Sequence, residues 1–209
     1  MKTYAPILAL AALALAACST QSPRVREAQA LYNAKQYNKA IPLFLEEARL
    51  DNAEAQLMLA KCCDFGNGVP QDAVKAAKWY RKAAENGNAN AQNNLGGCYF
   101  DGAGVPKDYS TAFYWYNRAA QQGNASALNN VGLCYRNGEG VPQDAVMAAK
   151  AFEKSAKGGN ANGMYNYGRC FFHGLGVPQD LLKAREWITK AAQAGHKNAA
   201  AFMEDQGWN

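Results

Sequence analysis

Six cysteines, two histidines and five serines are the side chains of this 209-residue chain that could carry nucleophilic, redox or metal chemistry. Cys62, Cys98, Cys134 and Cys170 stand 36 residues apart, Cys63 is extra, and Cys18 is alone near the N-terminus. Thiols at one fixed period occupy equivalent places in successive structural units. Stacked helices lie roughly 8–10 Å apart, beyond the Cα separation of about 7 Å that a disulfide spans. The spacing therefore predicts buried free thiols acting as small apolar side chains. No Cys-x-x-Cys occurs, and His173 and His196 are the only histidines, so no metal site is expected. None of Ser19, Ser22, Ser110, Ser126 and Ser155 has lysine three residues on, so a Ser-x-x-Lys nucleophile is missing. Nothing in the spacing points to a Ser/His/Asp arrangement around either histidine. No glycine loop carries the lysine and preceding strand of a phosphate-binding loop. The reading assigns no catalytic residue and no cofactor. The formal net charge is +5, but lysine and arginine are scattered rather than run together, so no nucleic-acid footprint is indicated.

The elements that hold these residues are set by one phrase. Gly68-Val69-Pro70-Gln71-Asp72 recurs at 104–108, 140–144 and 176–180, again every 36 residues, with Lys107 in place of glutamine in the second copy. A further glycine precedes each by two positions (Gly66, Gly102, Gly138, Gly174). Paired glycines stop a helix by taking positive φ. Proline forbids its continuation, and the aspartate suits the N-cap of a new helix. A strict period of this size means stacked helix pairs, each too small to bury its own apolar face. Alanine-weighted composition and few β-branched residues agree with an all-α chain. The units are cut at 53–88, 89–124, 125–160 and 161–196. Each reads as helix A, loop, helix B and a glycine stop (Gly87, Gly123, Gly159, Gly195). Asn90, Ser126 and Asn162 are expected to cap helix A in the last three units. Helix B carries Trp79, Trp115, Ala151 and Trp187 at one register, an aromatic core stripe that Ala151 breaks, so packing in the third unit should be thinner. Gly96, Gly132 and Gly168 should permit close A–B contact. Residues 24–52 form a further helical hairpin, with Pro42 expected near the start of its second helix. Residues 197–209 form a last helix and tail that cover the open end.

Residues 1–17 read as an export signal: Lys2 is the positive segment and Ile7 to Ala14 the apolar one, too short to span a bilayer. Leu15-Ala16-Ala17-Cys18 resembles the lipobox of bacterial lipoprotein precursors. That resemblance implies cleavage before Cys18, lipidation of Cys18, a tether over 18–23 and membrane attachment through the N-terminal lipid only. Ser19 in the next position implies, by the same resemblance, the outer membrane with the protein facing the periplasm, the inner membrane and the cell surface being the alternatives.

The 36-residue units resemble Sel1-like repeats, relatives of the tetratricopeptide repeat with a longer A–B loop. The residues that carry this are Asn94-Leu95-Gly96, Tyr99, Gly102, Gly104-Val105, Asp108, Ala112, Trp115-Tyr116, Ala119-Ala120 and Gly123 and their repeats. The first unit departs, with Met58-Leu59-Ala60 and Cys63. Leu31-Tyr32 through Phe44 resembles a tetratricopeptide repeat. The resemblance implies a right-handed α-solenoid of antiparallel helix pairs with a C-terminal capping helix. It also implies a non-enzymatic protein–protein interaction scaffold whose A helices line a concave face. Carried onto this sequence, that face comprises Leu57, Lys61, Asp64 and Phe65, then Asn93, Asn94, Gly97, Phe100 and Asp101, then Asn129, Asn130, Leu133, Arg136 and Asn137, then Tyr165, Asn166, Arg169, Phe172 and His173. Asn94, Asn130 and Asn166 form a ladder suited either to gripping a peptide backbone or to holding the array together. Cysteine-rich relatives bridge two cysteines within a unit, and the second cysteine is absent here. The partner is expected to be a protein or peptide of the cell envelope. Two alternatives are a periplasmic immunity lipoprotein that neutralises a toxic effector, and a β-lactamase-like enzyme acting near peptidoglycan.

Overall fold

A computed structural model describes residues 22–208. The segment expected to be an export signal, Cys18 and most of the expected tether lie outside these residues. The described chain forms eleven helices and no strand. A first hairpin comprises α1 (Pro23–Asn33) and α2 (Tyr37–Ala48). Four A/B pairs follow: α3 (Ala53–Phe65) with α4 (Ala73–Glu85), α5 (Ala89–Asp101) with α6 (Tyr109–Gln121), α7 (Ala125–Asn137) with α8 (Ala145–Lys157), and α9 (Ala161–His173) with α10 (Leu181–Gln193). A short α11 (Ala199–Asp205) closes the chain. Among the described residues no helix is long and apolar enough to cross a membrane.

The loop phrase works as its chemistry dictates. Gly66, Gly102, Gly138 and Gly174 end the A helices in the left-handed region. Asp72, Asp108, Asp144 and Asp180 start the B helices, each accepting a backbone N–H of the first turn at 2.9–3.1 Å. The glutamine has a use of its own. Gln71, Gln143 and Gln179 donate to the carbonyls of Asp64, Arg136 and Phe172, satisfying the frayed end of the A helix. The second glycine is a point of contact between units: at Gly104 a Cβ would collide with the Ala73 carbonyl, at the start of the previous B helix.

The A helices are not capped where the sequence suggested. Asn52, Asn88, Asn124 and Asn160 are the caps, each accepting an N–H two or three residues on. Asn90 and Ser126 lie inside the first turn. They receive the amides of Asn124 (2.9 Å) and Asn160 (3.2 Å), the caps of the next unit. Two asparagines two positions apart therefore do different jobs, one within a unit and one between units. Pro42 is likewise well inside α2. It costs the Asn38 carbonyl its helical partner, and the exposed position leaves that carbonyl open to water.

Each B helix packs against its own A helix and the A helix of the next unit. Gly96 makes the first contact tight, since a Cβ there would lie 2.6 Å from the Tyr116 ring. Gly132 and Gly168 take the same role against Phe152 and Ile188. The core runs the length of the stack, from Val25, Phe44 and Met58 through Leu57, Tyr80 and Leu95 to Phe152, Tyr167 and Ile188. Leu57, assigned to the concave face from sequence, is buried in this core. Buried glutamines stitch the units: Gln56 donates to the Ala48 carbonyl at 3.2 Å, and Gln92 to the Ala84 carbonyl at 3.0 Å. Within the third unit, the Ser155 hydroxyl of α8 donates to the Ala125 carbonyl of α7 at 2.6 Å. Neighbouring A helices are also joined directly. Asn130 donates to Asn93 at 3.0 Å and Asn166 to Asn129 at 2.8 Å. These bonds make the A helices the inner rail of the stack and leave the B helices outside.

Candidate binding face

The inner face is built by side chains one turn apart on α3, α5, α7 and α9. Two hollows lie along it. The first, about 270 Å³, is lined by Asp64 and Phe65 of α3, Asn93, Asn94, Gly97, Cys98 and Asp101 of α5, and Asn130 of α7. Tyr80 and Tyr116 form its floor. The Tyr80 hydroxyl donates to Asp64 at 2.9 Å. Burial first, and the Asp64 carboxylate second, hold the Tyr80 phenol above its ordinary range, so it stays a donor. The second hollow, about 200 Å³, is lined by Arg136, Asn166, Arg169 and His173 around Phe152, Cys170 and Leu175. The two hollows differ in charge, with Asp64 and Asp101 lining the first and Arg136 and Arg169 the second; half-buried Lys61 lines neither. The frame beneath them repeats every 36 residues; the exposed charges do not.

The other expected residues divide by contact. Asn93 accepts from Asn130, while Asn129 is buried and accepts from Asn166. These amides hold adjacent A helices together and account for Asn130 and Asn166 of the ladder, while Asn94 accepts from its neighbour Asn93. Asn94, Asn130 and Asn166 still line the hollows. Tyr165 stacks on His196, with centroids 4.2 Å apart, and meets Phe202 edge-on. Phe172 packs on Phe202 and Trp208. Both are half-buried under α11 and the returning tail, so Arg169 and His173 are the exposed members of that end. Phe65 is 66% exposed at the other end. Sequence reasoning missed the returning Trp208, because no periodic position marks a tail that folds back.

The thiols fit the apolar role expected of them. All five described cysteines are free; four are buried and Cys98 is half-buried in the first hollow. Burial pushes Cys62, Cys98, Cys134 and Cys170 up to about 11, so they remain protonated at neutral pH. Among the described residues no cluster of side chains could hold a metal ion.

Stacked A/B pairs with a continuous core and an inner rail of A helices define an α-solenoid of the tetratricopeptide type, a scaffold suited to protein–protein interaction. The chain belongs to the Sel1 repeat family, whose model matches residues 53–88, 89–124, 125–160 and 161–196. It is 32% identical to a Sel1 repeat protein from Oxalobacter formigenes, over 86% of this chain and 73% of that one, with a TM-score of 0.80. It is 31% identical to c5321, a protective antigen of uropathogenic Escherichia coli with an SLR fold. That match covers 88% of this chain and 41% of the antigen, with a TM-score of 0.78. Immunity protein PA5088 from Pseudomonas aeruginosa shares the fold at 21% identity, over 88% of this chain and 70% of that one, with a TM-score of 0.60. None of the curated proteins matches the chain. Sel1 repeats are generally non-enzymatic scaffolds.

Proposed function

We propose that the protein is a non-catalytic adaptor of the bacterial cell envelope that binds an extended segment of a partner protein along the inner face. The observation that carries this reading is the sign change from Asp64 and Asp101 to Arg136 and Arg169 on an otherwise repeating frame. A partner segment that is basic at one end and acidic at the other would lie in one direction only, because like charges would meet in the reverse one. Asn94, which bonds no neighbouring A helix, supplies an amide for its backbone. In the test, Arg136→Glu with Arg169→Glu is compared with the native protein for capture of envelope proteins. The reversed pair should lose the partner while keeping its helical circular dichroism. Equal capture by both would remove the inner face from the account.

Attachment rests on Leu15-Ala16-Ala17-Cys18, which would place a lipid on Cys18. Cys18→Ala should move the protein from the membrane to the soluble periplasmic fraction; retention in the membrane would refute the lipid anchor. An immunity role, the name borne by the Pseudomonas fold neighbour, is a narrower form of the same reading, with a toxic effector as the partner.

A further inference from the structure

The third unit contains a gap that the other units fill. In three units the B-helix tryptophan lies under a basic residue three positions on: Lys82 over Trp79 at 4.8 Å, Arg118 over Trp115 at 5.6 Å and Lys190 over Trp187 at 4.5 Å. In the third unit the corresponding pair is Ala151 and Lys154. Lys154 is exposed and stands over no ring. Ala151 instead opens onto a hollow of about 270 Å³ between the outer helices α6 and α8. Its apolar lining is Ala120, Leu128, Val131, Tyr135, Met147 and Ala151.

The register shows what shape this hollow has. Trp115 belongs to the core cluster that includes Ala84 and Leu95, with Tyr99 packed against it. Adding 36 to those numbers gives Ala120, Val131 and Tyr135, all of which line the hollow. Trp187 meets Tyr167 edge-on at 5.3 Å, and Tyr167 is the counterpart of Val131 one unit later. The walls of an indole site are therefore present and the indole is not. An apolar cavity of about 150 Å³ admits a benzene ring, so the volume here is ample for an indole. The rim is basic. Lys150 and Lys154 are exposed, and the one carboxylate beside them, Glu153, is already paired with Lys157 at 2.7 Å.

We infer that this hollow is a second docking site, which accepts a tryptophan side chain from an acidic segment of a partner protein. The ring would lie against Val131 and Tyr135 beneath the Lys154 ammonium, as Trp187 lies beneath Lys190. Carboxylates flanking that tryptophan would meet Lys150 and Lys154. The site opens between B helices and does not depend on the inner-face reading.

The test uses the purified full-length protein and a fluorescein-labelled peptide, acetyl-Glu-Asp-Trp-Asp-Glu-amide, with its Trp-to-Ala counterpart as control, read by anisotropy. The tryptophan peptide should bind saturably and the control about tenfold more weakly or worse. Ala151→Trp, which fills the hollow from within, should abolish binding and raise Tm. Lys154→Glu should weaken binding about threefold or more. Equal affinity for both peptides, binding unchanged in Ala151→Trp, or no saturable binding would overturn the inference. Self-association of the native protein that Ala151→Trp removes, without peptide binding, would assign the hollow to a second copy and overturn it equally.

Discussion

A thiol at Cys134 has little to do at neutral pH. It is 1% exposed, and burial together with Glu139 pushes it up to about 11. Only the thiolate is a good nucleophile, so Cys62, Cys134 and Cys170 should resist alkylation in the native protein. Half-buried Cys98 should react first. The same shift has a consequence for stability. A thiol in the unfolded chain titrates near about 8.5, below its folded value. The folded state therefore holds its protons longer than the unfolded one. This contribution is complete below about pH 8.5 and is lost as pH rises toward 11. Buried Tyr80 and Tyr116, also raised by burial, act in the same direction. Tm should fall between pH 8 and pH 10.5, and Cys134→Ala should show a shallower fall from its own starting value. An identical slope in the two proteins would show that the thiol is not held protonated by the fold.

At the scale of the helix, two effects compete at Gly96. Alanine favours a helix interior over glycine by about 1 kcal/mol. A methyl group here would sit 2.6 Å from the Tyr116 ring, whose side chain is itself 5% exposed. Overpacking of this kind typically costs about 1–3 kcal/mol. Gly96→Ala should therefore lower stability in spite of its better propensity, as chemical denaturation would show; a stabilised variant would mean that α5 and α6 have room to part. This contact was legible in the sequence, because a glycine at one register in three A helices has few other uses. The loop glycines and the aspartate caps were legible for the same reason: each residue type answers a local backbone requirement. The A-helix caps were not. The segment Asn88-Ala89-Asn90 offers two asparagines, and only the bond from Asn124 back to Asn90 shows which one faces the next unit. Gln56 and Gln92 were missed on the same ground, since their partners are carbonyls at the end of the preceding B helix. Contacts between units depend on how the pairs stack, and no local pattern records that.

The described residues form a continuous stack whose inner rail of A helices carries different side chains in each unit. Its N-terminal hairpin and the α11 cap cover the two ends of the core. The cap also takes up Tyr165 and Phe172, which the sequence alone assigned to the open face, because Phe202 and Trp208 fold back onto them. The two hollows along the rail differ in charge, the first lined by Asp64 and Asp101 and the second by Arg136 and Arg169. That pattern could be read from the residue list, but its placement on one continuous face needed the structure. Whether a partner lies on this inner face is tested by photo-crosslinking in cells. Benzoylphenylalanine is introduced at Asn94 or Arg169 on the inner rail, and at Lys78 on the outer helix α4 as a control. One shared protein adduct is expected from both inner positions and none from Lys78. Adducts from Lys78 alone would place the partner on the B helices and contradict the inner-face reading.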